Sequence, residues 1–105
     1  MASSESKKEY ISRLKQNPAR GEVIVVRVSN QRSVPMEFQI EPTGDEAPIM
    51  EPDVAYEIVT QGRGTGPFSE EGYALNVVLQ DDSIQVWVEC WDGQAFDDKE
   101  TSVAY

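Results

Sequence analysis

Histidine is absent from this sequence of 105 residues. That removes the commonest general base, the commonest metal ligand and the Ser-His and Cys-His routes to an activated nucleophile. Cysteine occurs once, at Cys90, so no disulfide can close within the chain. A reducing compartment is the expectation, either the cytoplasm or a virion assembled there. Aromatic residues make up only 9% of the chain, and no stretch approaches the roughly 18 apolar residues that a spanning helix needs. Residues 1–10 are polar and mixed in charge, without the apolar core and small-residue cleavage site of a secretory signal, so export by a signal peptide is not expected. Carboxylate chemistry of the glycosidase type is open to a chain with 19 Asp and Glu residues, but such enzymes need a larger scaffold to build a cleft. The expected class is non-enzymatic, with no cofactor, no metal and no membrane partner.

What is abundant is negative charge, and it is unevenly placed. Residues 1–32 hold seven basic side chains against three acidic ones, whereas residues 33–105 hold two basic against sixteen acidic. The two parts carry +4 and −14, which make up the total of −10. The reading is a basic N-terminal arm over residues 1–20 on an acidic β domain over residues 21–105. The acidic part repels phosphate backbones and steers cationic proteins towards itself, so direct nucleic-acid binding is not expected. Solubility alone is also served by a net charge far from zero.

Residues 4–16 predict a short helix. Ser6 and Glu9 have the spacing of a capping box, Tyr10, Ile11 and Leu14 form one apolar stripe, and Asn17-Pro18 ends the run. A helix of this length needs an apolar surface to lie on. From Glu22 the texture changes to alternating β-branched runs. Strands are predicted over residues 23–29, 34–41, 54–61, 73–80, 83–91 and 94–98, separated by turns rich in Gly, Pro and Asp. Inward faces are assigned to Ile24, Val26 and Val28; to Val34, Met36, Phe38 and Ile40; to Val54, Tyr56 and Ile58; and to Ile84, Val86, Val88 and Cys90. Residues 42–53 read as a loop, Asp81-Asp82 as a tight connection, and Asp92-Gly93 as a two-residue hairpin that makes the last three strands a meander. The fold class is all-β: a small antiparallel sandwich or barrel of five or six strands with a short N-terminal helix.

Three features could carry chemistry. The run Gly62-Arg63-Gly64-Thr65-Gly66 has the composition of a phosphate loop but is followed by Pro67 and a strand, not a helix, so it reads as an inter-strand loop whose Arg63 offers a cation to a partner. The acidic groups Asp45-Glu46, Glu70-Glu71, Asp81-Asp82 and Asp92 with Asp97-Asp98 lack the spacing of a calcium loop and read as solvated turns. The outer face of residues 83–91 carries Gln85, Trp87, Glu89 and Trp91, with the two indoles about 13 Å apart. Three readings compete for that face: cover by the helix through Tyr10, Ile11 and Leu14, or by a second sheet; a protein interface with Trp anchors among charges; or sugar stacking, with Glu89 and Gln85 taking hydroxyls.

The function expected is a protein-binding or structural assembly module, acting through that face and the N-terminal arm on a partner protein or on copies of itself, as a component of a larger particle. The alternative is an acidic inhibitor or immunity-like protein that masks a basic surface. A carbohydrate-binding module is the third reading.

Overall fold

The computed structural model describes residues 5–41, 48–63, 75–88 and 93–104. The chain opens with helix α1, Lys7–Lys15, followed by a turn of 3-10 helix at Pro18–Arg20. Both halves of the capping box are present: the Glu9 N–H donates to Ser6 Oγ and the Ser6 N–H to Glu9 Oε1, each at 3.2 Å. The Glu9 carboxyl is held below its ordinary value by that bond to the Ser6 backbone and by the Ser6 hydroxyl.

Eight strands follow among the described residues: β1 Glu22–Ser29, β2 Met36–Glu41, β3 Ile49–Met50, β4 Ala55–Gly62, β5 Leu75–Leu79, β6 Ser83–Val88, β7 Gly93–Phe96 and β8 Ser102–Ala104. They form two four-stranded sheets, ordered β1-β4-β7-β8 and β3-β2-β6-β5. The sheets face each other, and neither closes into a barrel. Their shared core joins Met36, Phe38, Ile40, Met50, Ile84, Val86 and Val88 from one sheet to Tyr56, Ile58 and Ala95 from the other. Phe38 meets Tyr56 edge to face at 5.2 Å between ring centroids, a geometry that the ring quadrupole favours.

Several expectations are corrected. There are eight strands rather than five or six, because Ile49–Met50 and Ser102–Ala104 pair although they are too short to show alternation. The Pro-rich stretch before β4 contributes a core residue, Met50, which is fully buried. The sheets are not purely antiparallel: β2 runs parallel to β6. Between β2 and β6 the chain forms β3 beside β2, crosses to the other sheet as β4 and returns as β5, so no hairpin constrains that pair.

The C-terminal meander does not form, since β5 and β6 pair as expected but β7 lies in the opposite sheet, against β4 and β8. Gly93 therefore serves close packing between sheets. A Cβ there would stand 3.0 Å from Val88 Cγ1 and 3.3 Å from Ile40 Cγ2. Val34, expected inside, is exposed in the bend before Pro35, where its carbonyl accepts from Asn30 Nδ2.

The inward faces of β1, β2, β4 and β6 are otherwise as the alternation predicts. The outer face of the β1-β4-β7-β8 sheet carries α1, and Tyr10 and Leu14 are buried there against Val59 and Phe96, with Ile11 and Val23 packed at the margin. The chain enters β1 through Gly21, at φ 108°, where a Cβ would overlap the Gly62 carbonyl. Only glycine meets both demands. Gln61 secures the same corner by donating to the Asn17 and Gly21 carbonyls, each at 2.9 Å.

Leu14→Ala should cost about 2–3 kcal/mol of unfolding free energy in a urea titration, because a buried leucine is lost between two packed layers. Ile11→Ala, at the margin, should cost less than half as much.

Candidate binding face

Sheet register brings side chains from four strands together on the outer surface of the β3-β2-β6-β5 sheet. Core residues occupy the even positions of β2 and β6, so the odd positions face outward. Cross-strand pairing then lays out three rows. Glu41, Trp87 and Asn76 form one, Gln39, Gln85 and Val78 the next, and Ile49, Glu37 and Ser83 the third. Strands β2, β6 and β5 span about 10 Å at ordinary strand spacing. Trp87, Gln85, Gln39 and Glu41 are half-buried, Glu37 and Ile49 are exposed, and Ser83 is buried.

Among the described residues the face holds two carboxylates and three primary amides and no Lys or Arg. Its chemistry is that of an acceptor-rich platform with one large flat aromatic: it can take ammonium or guanidinium groups on Glu37 and Glu41, and a planar or apolar group against the indole.

Of the residues expected to form a site, Gln85 and Trp87 share this face, while Glu89 and Trp91 lie outside the described residues, as do Cys90 and Gly64 to Gly66. The helix does not cover the indole of Trp87. Helix α1 packs on the other sheet, and the second sheet packs on the opposite surface of this one. Tyr10, Ile11 and Leu14 thus contact their own chain at a site separate from Trp87, and Tyr10 stacks obliquely on Phe96 at 5.9 Å. Arg63 stands elsewhere again, with its guanidinium donating to the Ala19 carbonyl at the base of α1. Gln39, Glu41 and Asn76 join Trp87 although no motif links them. Alternation signals their outward direction, but only the pairing of β2 and β5 with β6 makes them neighbours.

Three of the basic side chains of residues 1–32 are engaged within the chain. Lys7 Nζ lies 2.9 Å from Glu57 Oε1 and 3.7 Å from Glu100 Oε1, Arg13 pairs with Glu5 at 3.1 Å and sits 5.0 Å from the Tyr10 ring centre, and Arg32 donates to the Asp81 carbonyl at 2.6 Å. The hydrogen bond to Glu57 and the two carboxylates hold the Lys7 ammonium above the usual lysine range. Burial, helped by the charge of Asp97, pushes the Tyr56 phenol up as well.

Among the described residues no cluster of three or more His, Cys, Asp or Glu side chains is arranged to hold a metal ion, and no helix is long and apolar enough to cross a membrane. Comparison with family models, curated proteins and solved structures finds no match for this chain.

Both raised groups act with the same sign. Each contributes stability that is complete below its ordinary unfolded value, near pH 10, and that is lost as pH rises through its folded value. The melting temperature should therefore fall above about pH 10, and Tyr56→Phe and Lys7→Met should each flatten that fall. Melts followed by circular dichroism between neutral and strongly alkaline pH check it, and equal slopes for wild type and both variants would contradict it.

Proposed function

We propose that this chain is a non-enzymatic protein-binding module that engages a partner protein through the outer face of β2, β6 and β5, and so acts as an assembly component. The observation that carries the reading is the position of Trp87, set between Glu41 and Asn76 on a sheet surface that neither α1 nor the second sheet covers. A large aromatic ringed by acceptors, without a like-sized apolar patch around it, has the make-up of an interface anchor. The surrounding charge selects the partner. With Glu37 and Glu41 on the face and a net charge of −10 on the chain, the complementary surface is cationic, and association is faster at low ionic strength.

The three amides Gln39, Gln85 and Asn76 beside the indole favour a second reading, carbohydrate binding, in which the ring stacks on a sugar face and the amides take hydroxyls. The two are separable by one set of variants. Tagged wild-type chain should retain a specific protein partner that Trp87→Ala and Glu41→Lys lose, with affinity falling at least about 30-fold for Trp87→Ala, while Lys8→Glu, on the exposed side of α1, retains it. Recovery of the same partner by all four chains would overturn the protein-binding reading. Saturable quenching of Trp87 fluorescence by oligosaccharides, lost in Gln85→Ala, would replace it with the carbohydrate one.

A further inference from the structure

The β1 edge is built for pairing with another strand, and its geometry specifies which. This edge is the outermost strand of its sheet and runs in unbroken register with β4 over eight residues, from Glu22↔Gly62 to Ser29↔Ala55. Among the described residues the other edges are shorter: three residues in β8, two in β3 and five in β5. Long open edges are usually blunted by proline, a bulge or charge. Here the strand has no proline and no bulge, and its single acid and single base, Glu22 and Arg27, cancel. None of its eight residues is buried, in contrast to the neighbouring β4.

The outward-pointing backbone groups can be assigned. Asn30, next in line after β1, donates its N–H to the Val54 carbonyl and accepts from the Asp53 N–H. In an antiparallel ladder the direction alternates, so the even residues 22–28 turn their N–H and C=O groups towards β4. Residues Val23, Val25, Arg27 and Ser29 turn theirs towards the open edge.

A second observation lies beneath that edge. Strand β4 faces β6, and β7 and β8 face β2, which places β1 and β5 together as the outermost strands on one side of the sandwich. Val77 and Leu79 of β5 belong to the core face, opposite Val86 and Ile84 in the ladder, yet they are 36% and 72% exposed, and Ile24 and Val26 on the inward face of β1 are only half-buried. The apolar interior is open on this side.

We infer that β1 pairs antiparallel with β1 of a second copy of this chain across a twofold axis at Val26, joining two four-stranded sheets into one of eight strands. This register opposes Val23 to Ser29 and Val25 to Arg27 in both directions, so all four outward residues of each copy bond. It places Val26 opposite its own copy. Because the interface is isologous, each copy also brings its own Val77 and Leu79 to the same axis, closing the open interior. A second copy fits better than an unrelated strand because it supplies both layers at once, and because the neutral strand lets two chains of the same net charge approach at this point. The inference concerns a different surface from that of Trp87 and stands apart from the partner-binding reading.

The test is mass measured by analytical ultracentrifugation over a range of concentrations. The wild type should reach twice the chain mass of 11.7 kDa. Val25→Pro removes an outward N–H that the monomer's ladder does not use, so the folded variant should remain at the single-chain mass. Leu79→Glu should do the same, and Trp87→Ala should dimerise like the wild type, which separates failure here from failure of the partner-binding reading. A single-chain mass for the wild type at every concentration, or a dimer that survives folded Val25→Pro, would overturn the inference. Should Val25→Pro not fold, Val26→Cys in a Cys90→Ser background decides: a disulfide-linked dimer under mild oxidation supports the pairing, and its absence overturns it.

Discussion

The two sheets are tied together at one buried amide. Asn30 leaves the end of β1, in the helix-covered sheet, and its Nδ2 donates at 2.9 Å to the carbonyl of Val34, on the approach to β2, and at 2.9 Å to that of Met50 in β3. Its Oδ1 accepts from the Arg32 N–H at 3.0 Å, which shapes the turn between the sheets. Its own backbone N–H and C=O bond to Val54 and Asp53, on the approach to β4. One residue thus bonds on both sides of the crossover, through its backbone towards β4 and through its side chain towards β2 and β3. Without it, the Val34 and Met50 carbonyls would be left without these donors at the core margin, a cost that an apolar replacement does not repay. Asp53 adopts φ 65° in the same corner, a left-handed conformation that Asp tolerates better than most residues.

From that corner the rest follows in layers. Fixing β1 against β4 and β2 against β3 presents two apolar faces to each other, and the core of Phe38, Ile58, Val86 and their neighbours closes between them. The covered sheet then has a second apolar patch on its back, Val59 and Phe96, which recruits Tyr10 and Leu14 of α1, and Lys7 ties the helix start to Glu57. The sheet that α1 does not cover keeps a polar back among the described residues, with Trp87 its one large aromatic there. The asymmetry of the molecule, helix on one face and acceptor-rich platform on the other, comes from which sheet carries outward apolar residues.

Much of this is legible along the chain, and the losses have a common cause. Alternation reports which side of a strand meets a packed layer, so the inner faces of β1, β2, β4 and β6 and the capping box of Ser6 and Glu9 can be read locally. It does not report which strand lies alongside. Asp92-Gly93 resembles a hairpin turn because glycine is common there, whereas Gly93 sits where Val88 and Ile40 of the other sheet approach closely. Met50 sits in a Pro-rich loop by composition, and only its pairing with Met36 and the bond from Asn30 make it core. The candidate face is likewise half legible. The outward direction of Gln85 and Trp87 follows from period two, but their grouping with Gln39, Glu41 and Asn76 depends on a parallel pairing that no turn signal announces.

The most direct measurement is the unfolding free energy of Asn30 variants from urea titrations monitored by far-ultraviolet circular dichroism. If the amide joins the sheets as described, Asn30→Ala loses about 3 kcal/mol. Asn30→Asp, equal in shape but presenting oxygen to the Val34 and Met50 carbonyls, loses at least as much. A loss below about 0.5 kcal/mol in both, the level of an ordinary surface substitution, would contradict the account.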